Sequence, residues 1–324
     1  MVSERTIEIG MVLYPEVQMS AVLGLTDLFG VANQAVRRRS GAQVASIRVS
    51  HWRQDGEQGA IGRVFDTLPE RAAGEPAALV AAPSLPGPVT PEAAAPYVAW
   101  LRRFHAAGGT LVSVCAGVFL LGETGLLAGR TVTTHWALNE RFSRRFPEAR
   151  LDIDRLIVDE GDLVTAGGLM AWTDLGLRLV DRYLGPDIML DTARMLLVDP
   201  PGREQRYYST FVPRLDHGDR AVLQAQHWLH GLGAGDASLE SLAARAGLEE
   251  RTFLRRFRKA TGRTATEYQQ ELKVNKAREL LQFSALTVDQ VAFDVGYGDA
   301  GAFRKVFARI VGLSPAEYRR RFHA

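Results

Sequence analysis

Short apolar, β-branched runs alternate with segments of helical period through the first two thirds of the 324-residue chain. TIEIGMVL (residues 6–13) predicts a strand, and residues 19–36 predict the helix after it. ASIRVS (45–50) and ALVAAP (78–83) predict two more strands. TPEAAAPYVAWLRRFHAAGG opens a helix with Thr90 as N-cap and Pro91 in the first helical position, and Gly108 with Gly109 stop it. TLVSV then predicts a buried strand ending at Cys115, and AGVFLLGETGLL predicts the helix that follows. Such alternation implies an α/β doubly wound domain with a mostly parallel sheet and helices on both faces. Ligands of such sheets bind beyond the carboxyl ends of the strands, where Cys115 stands.

The last third carries a different rhythm. Residues 238–262 place Leu239, Leu242, Ala243 and Ala246 on one helical face, then a Gly247 turn, then Phe253 and Phe257 four apart among arginines. Residues 287–312 repeat the plan with Val288, Val291 and Ala292, a Gly296 turn, and Phe303 and Phe307. Two short helices joined by a Gly-containing turn predict a helix-turn-helix, here twice. Thr264 with Glu267, Thr287 with Gln290 and Ser314 with Glu317 have capping-box spacing, and Pro315 suits a first helical turn. Residues 267–283 read as one long helix connecting the two units.

Between the two rhythms, residues 199–219 hold prolines at 200, 201 and 213 and show no period. The expected organisation is a domain over 1–198, a linker over 199–218 and an all-α domain over 219–324. Charge divides the same way. Residues 1–200 hold 19 Arg, no Lys and 23 acidic side chains, a net −4, whereas 201–324 hold 16 Arg, 4 Lys and 14 acidic side chains, a net +6. That asymmetry suggests that the second segment meets a polyanion, against the alternative of a solvated basic face.

The single cysteine excludes an intramolecular disulfide and fits a reducing compartment. The first residues show no signal-peptide pattern and no apolar run reaches the length that spans a bilayer, so a cytoplasmic protein without a membrane partner is expected. A lone cysteine with a distant histidine, Cys115 and His135, is one pattern for a thiol nucleophile. Cysteine is equally a small buried hydrophobe. The other histidines show no metal-ligand spacing, and neither a metal nor a cofactor is expected.

The run CAGVFLLGETGLLAGRTVTTHW resembles the nucleophile-elbow segment of PfpI-type proteins in the class I glutamine amidotransferase-like superfamily, and the likeness extends over most of residues 6–198. The resemblance implies a flavodoxin-like fold with a tight strand-to-helix turn at Cys115 facing His135. Members with thiol chemistry place a carboxylate after the first strand, where this chain has Ala21, with Glu16 and Asp27 to either side. A thiol without that acid lacks a partner to exchange its proton, so no catalytic residue is assigned. Cys115, Ala116, His135 and Trp136 are instead candidates for a small-molecule effector pocket. Trp100, Trp136 and Trp172 could line an aromatic site for an amine-like or amino-acid metabolite, or could be core.

The duplicated helix-turn-helix with its terminal GLSPAEYRRRF resembles the DNA-binding domain of AraC/XylS-type transcriptional regulators over residues 219–322. A PfpI-like domain followed by an AraC-type domain is itself a regulator architecture. The resemblance implies double-stranded DNA as partner, with a small-molecule effector and a homodimer assembled through the first domain. It places Arg251, Leu254 and Arg255 at base edges and Arg258 and Lys259 at phosphates. In the second reading helix Ala300, Gly301, Ala302, Arg304 and Lys305 match the groove face. Arginine suits bidentate reading of guanine, whereas alanine offers only apolar contacts. The expected function is a sequence-specific transcriptional regulator rather than an enzyme; the alternative is a cysteine-dependent hydrolase or hydratase fused to a DNA-binding domain.

Overall fold

The computed structural model describes residues 5–40, 45–56, 59–71, 74–200, 202–232, 235 and 237–323. Strand β1 (Arg5–Leu13) is buried at six successive positions, 7–12, as expected of a strand covered on both faces. It pairs in parallel with β2 (Ala45–Gln54) on one side and β4 (Ala78–Ala81) on the other, and β5 (Thr110–Val114) and β9 (Leu163–Ala166) extend the parallel set. Antiparallel β3 (Ile61–Asp66) and β8 (Ile157–Asp159) form the edges, giving the order β3-β2-β1-β4-β5-β9-β8. A separate short parallel pair joins β6 (Thr131–Val132) to β7 (Arg150–Leu151). The chain therefore has the mostly parallel doubly wound sheet that its alternation predicts.

Helices α1 (Met19–Ser40), α5 (Trp172–Leu184) and α6 (Pro186–Leu196) cover one face, where Leu25, Phe29, Leu175 and Leu179 meet Ile9, Met11 and Val49. Helices α2 (Pro91–Ala106), α3 (Val118–Gly122) and α4 (Asn139–Arg145) cover the other, with Tyr97, Phe119 and Phe142 against Val12 and Leu79. The α2 boundaries follow their signals: Thr90 Oγ1 accepts from Ala93 N–H, and Gly108 takes a positive φ of 92° just past the end. The helix after Cys115 is shorter than its sequence suggests. A 3-10 turn, Cys115–Gly117, leads into α3, which ends at Gly122. There the Phe146 ring stands so close that a Cβ would meet it at 2.4 Å, and Thr124 Oγ1 donates to Leu121 O in the turn beyond.

The chain divides into two compact units, Met1–Gln205 and Arg206–Ala324. The proline-rich stretch spans that boundary; Pro201 lies outside the described residues. Gln205 is buried in the first unit. Residues 206–214 lie as a strap along the second. Arg278, itself buried, donates to Ser209 O and, at 3.1 Å, to Arg206 O. Asn275 brackets Phe211, accepting from its N–H at 3.2 Å and donating to its carbonyl at 2.6 Å, and Gln226 donates to Arg214 O at 2.9 Å.

The second unit is all helical among its described residues: α7 (Arg220–Gly231), α8 (Leu239–Ala246), α9 (Glu250–Thr261), α10 (Ala265–Phe283), α11 (Val288–Asp294), α12 (Ala300–Val311) and α13 (Pro315–Phe322). Two cores form, one around Phe253, Phe257 and Tyr268, the other around Phe303, Phe307 and Tyr318. Helix α10 serves both, giving Tyr268 to the first and Val274, Ala277 and Leu281 to the second. All three capping boxes close with both bonds, at Thr264, Thr287 and Ser314. Gly247 ends α8 in the left-handed conformation, φ 62°, which opens the turn of the first helix-turn-helix.

Candidate nucleic-acid interface and elbow site

Periodicity alone sets the two sides of α9. Phe253 and Phe257 are fully buried and Ala260 follows them inward, which leaves Arg251, Leu254, Arg255, Arg258 and Lys259 exposed on the far side. None of these four cations enters an ion pair among the described residues, so their charge is directed at solvent. Arg256, on the flank, is committed elsewhere: it grips Asp219 through Nε at 2.9 Å and Nη2 at 2.6 Å. Asp219 also caps α7 by accepting from Val222 N–H, and Arg256 foremost holds its carboxyl below the usual range. Periodicity did not single out Arg256; only the folded chain shows that it ties α9 to α7.

Helix α12 begins at Asp299, whose carboxylate accepts from Ala302 N–H at 2.7 Å. Ala302, Arg304 and Lys305 are exposed, while Ala300 and Gly301 are half-buried. A Cβ at Gly301 would come within 3.1 Å of Asp299 Oδ2. The small residues thus give this helix a low N-terminal surface. Arg304 differs from the arginines of α9 in being paired with Asp289 of α11. The resemblance places Arg304 on the groove face, and its pairing with Asp289, fifteen residues away, leaves no periodic trace in the sequence.

The elbow stands at the end of β5. Cys115 has φ 53°, a left-handed conformation that L side chains seldom adopt outside constrained turns. Gly117, two residues on, faces Ala81 O so closely that a Cβ would stand 2.1 Å from it. Cys115 and Ala116 are buried, whereas His135 and Trp136 are half-buried. Burial pushes the thiol up to about 11 despite N–H groups of Ala116 and His135 directed at it, so it is protonated at neutral pH. The His135 ring caps its own turn, Nδ1 accepting from Ala137 N–H at 3.1 Å, which leaves the neutral ring's proton on Nε2. Burial lowers its pKa. Ala21 is buried in the same apolar cluster as Cys115, where a carboxylate would be needed, and Glu16 and Asp27 are exposed. Beside these backbone groups the thiol neighbours Tyr14, whose hydroxyl donates to Ala82 O and whose pKa is raised by burial first and by Cys115 second; among the described residues no carboxylate shifts the thiol.

The segment carrying His135 is held by a residue that sequence reasoning missed. Gln205 Oε1 accepts from Trp136 N–H at 2.9 Å, and Gln205 Nε2 reaches Thr134 O at 2.8 Å and Thr133 Oγ1 at 3.1 Å. Thr134 Oγ1 donates in turn to Cys115 O at 2.9 Å. Gln205 lies in an aperiodic stretch some seventy residues from its partners, so no local signal marks it. Of the tryptophans, Trp100 packs on Trp52 at 5.7 Å and the Trp172 ring closes on Gly24, which gives both a packing role. Two open hollows of the first unit lie along α6, lined by Leu190, Ala193 and Leu197 and by Ala35, Arg38 and Met195, away from Cys115. Among the described residues no group of three His, Cys, Asp or Glu could hold a metal ion, and no helix is long and apolar enough to cross a membrane.

Residues 25–182 match the DJ-1/PfpI family, and residues 242–321 match a helix-turn-helix domain family. The HTH-type transcriptional regulator ArgR of Pseudomonas aeruginosa is 25% identical over 221 residues, which cover 68% of this chain and 67% of that protein. The HTH-type transcriptional regulator GlxA of Rhizobium meliloti is 27% identical over 224 residues, 68% of each chain. The DNA-binding domain of AdpA, solved in complex with a target DNA, is 35% identical, with a TM-score of 0.31 over 32% of this chain and 92% of that one.

Proposed function

We propose that this chain, which belongs to the transcriptional regulators joining a DJ-1/PfpI-family domain to an AraC-type helix-turn-helix domain, reads DNA with α9 and α12 under control of a small molecule bound in its first unit. The observation that carries the reading is the exposed stripe of Arg251, Arg255, Arg258 and Lys259, in no ion pair among the described residues and opposite the buried Phe253 and Phe257. Arginines nearest the helix start reach base edges, and cations at its end reach phosphates. Ala300, Gly301 and Ala302 let the second reading helix approach closely while offering few hydrogen bonds, with Arg304 and Lys305 beyond them.

Binding titrations at several salt concentrations, on a duplex enriched from a random library by the full chain and on a scrambled one, separate the two roles. Arg255→Ala is expected to cost about 1–3 kcal/mol and relax preference at one position with little change in salt dependence. Lys259→Ala is expected to weaken both duplexes alike and reduce the log–log salt slope by about one. Identical, uniform weakening by both substitutions would place Arg255 outside the groove.

The first unit is read as sensor and dimerisation domain, with the effector pocket at Cys115, Ala116, His135 and Trp136. Cys115→Ser is expected to leave DNA affinity within about threefold, under ~1 kcal/mol. Loss of a measurable hydrolase or hydratase turnover in that variant would favour an enzyme instead. Sedimentation at tens of micromolar is expected to show a homodimer, and a monomer would count against this arrangement.

A further inference from the structure

The strap over residues 206–214 touches both halves of the second unit. Its first residues lie on the half built around Phe303, Phe307 and Tyr318. Arg206 and Tyr207 close over Gly312 at the end of α12, where a Cβ would meet Arg206 Nε at 2.4 Å and Tyr207 Cε1 at 2.8 Å. Tyr208 stands edge-on to Phe322 of α13 at 5.4 Å, and its hydroxyl accepts from Arg321 Nη2 at 2.7 Å. The later residues lie on the other half: Phe211 meets Tyr268 edge-on at 5.1 Å, and Arg214 O accepts from Gln226 of α7 at 2.9 Å. Between these ends Asn275 and Arg278 pin the strap to the middle of α10.

We propose that the strap is a brace that fixes the spacing of α9 and α12, and with it the number of base pairs between the two DNA segments they read. The inference rests on the regulator reading above. Each half has its own core, and α10 joins them. Two bodies joined along one helix can rock about it, and a second tie on its flank removes that freedom. Asn275 and Arg278 lie roughly 140° round α10 from Thr266, Gln270 and Lys273. The latter three share a cleft with Ala302 of the second reading helix, so the strap runs behind α10, away from the face of α12 that is read as entering the groove. Its residues therefore act through the helices they hold, as positioning residues. Spacing is a sharp criterion, because one extra base pair moves a groove segment about 3.4 Å along the duplex and about 35° round it. A braced pair of helices loses one set of base contacts on such a duplex, whereas a rocking pair re-engages. Bracing before binding also spares the cost of ordering the pair at the moment of contact.

The test compares the affinity of the full chain for its library-enriched duplex with that for the same duplex carrying one inserted base pair, midway between the two segments that the chain protects from cleavage. Wild type is expected to lose about a hundredfold on the lengthened duplex, the equivalent of two wrong base pairs. Insertion of Gly-Gly between Ser209 and Thr210 removes no side chain but slackens the strap between its two ends, and should cut that loss to about tenfold. The same insertion between Leu215 and Asp216, beyond the Arg214 carbonyl that Gln226 holds, is the control and should keep the full loss. Tyr208→Ala should act like the slackened strap; its ring is 40% exposed, so the core is little disturbed. Tyr208→Phe, which keeps the edge-on contact with Phe322, should restore most of the discrimination. Wild-type discrimination in both the slackened and the Tyr208→Ala chains, or an equal fall in the control insertion, would overturn the brace. So would a wild type indifferent to the added base pair. A chain that enriches no duplex would instead sink the regulator reading beneath it.

Discussion

Phe257→Ala is expected to remove about 3–5 kcal/mol from the second unit, a large fraction of the 5–15 kcal/mol that stabilises an ordinary domain. Phe257 is fully buried, packs on Phe253 at 5.2 Å and meets Tyr268 edge-on at 5.3 Å. Truncation therefore opens a cavity where α9 and α10 join, and neighbouring rings held by their own contacts collapse into it poorly. Tyr268 cannot follow, because its hydroxyl is already bonded by Gln226 at 3.0 Å and by His230 at 2.8 Å. Denaturant unfolding should show the loss in the transition of the DNA-binding unit and leave that of the sheet domain in place. A loss below about 1.5 kcal/mol would mean that the site relaxes and that this ring is not the keystone of the first helix-turn-helix.

Gly117→Ala should have a comparable effect on the other unit, by overpacking rather than by a void. The added methyl would stand 2.1 Å from Ala81 O and 2.8 Å from Ala82 O, both backbone atoms. Ala81 is paired to β1 on one side and β5 on the other, so the carbonyl cannot retreat without breaking ladder bonds in the middle of the sheet. Overpacking usually costs 1–3 kcal/mol, and an immovable backbone neighbour puts this case at about 3 or above. Conformation contributes nothing, since Gly117 has φ −59°. Gly30→Ala is the matched control: within α1 nothing lies within 4 Å of the new methyl, and a gain of about 0.5–1 kcal/mol is expected. Thermal unfolding of both variants decides the matter, and equal midpoints would refute the steric argument.

The sequence made legible what depends on neighbours along the chain. Phe253 with Phe257 and Phe303 with Phe307 announce the inner faces of the reading helices, and the three capping boxes mark where helices begin. The strands at 6–13, 45–50 and 78–83 were visible from their short apolar, β-branched runs, although Glu8, Ser46, Arg48 and Ser50 are buried within the first two. Edge strands were not. IGRVFD is half exposed along most of its length and has no continuous apolar run, yet it forms β3 against β2. The elbow cysteine was legible as a position, and its lack of an acidic partner followed from Ala21. What escaped were bonds across long separations: Arg256 to Asp219, Arg304 to Asp289, and Gln205 to the segment around His135. None of these partners lies at a period that a helix or a strand imposes.

The strap over residues 206–214 changes what counts as a transferable part. Sequence rhythm sets the start of the reader at residue 219, but Arg278 and Gln226 are buried against carbonyls that belong to residues 206–214. A hybrid regulator grafted at 219 would strip Arg278 of the Arg206 and Ser209 carbonyls and leave Gln226 with Tyr268 but without Arg214 O, whereas one grafted at Arg206 carries these partners with it. The natural unit of exchange between regulators of this architecture is thus longer at its N-terminal end than the two helix-turn-helix motifs themselves.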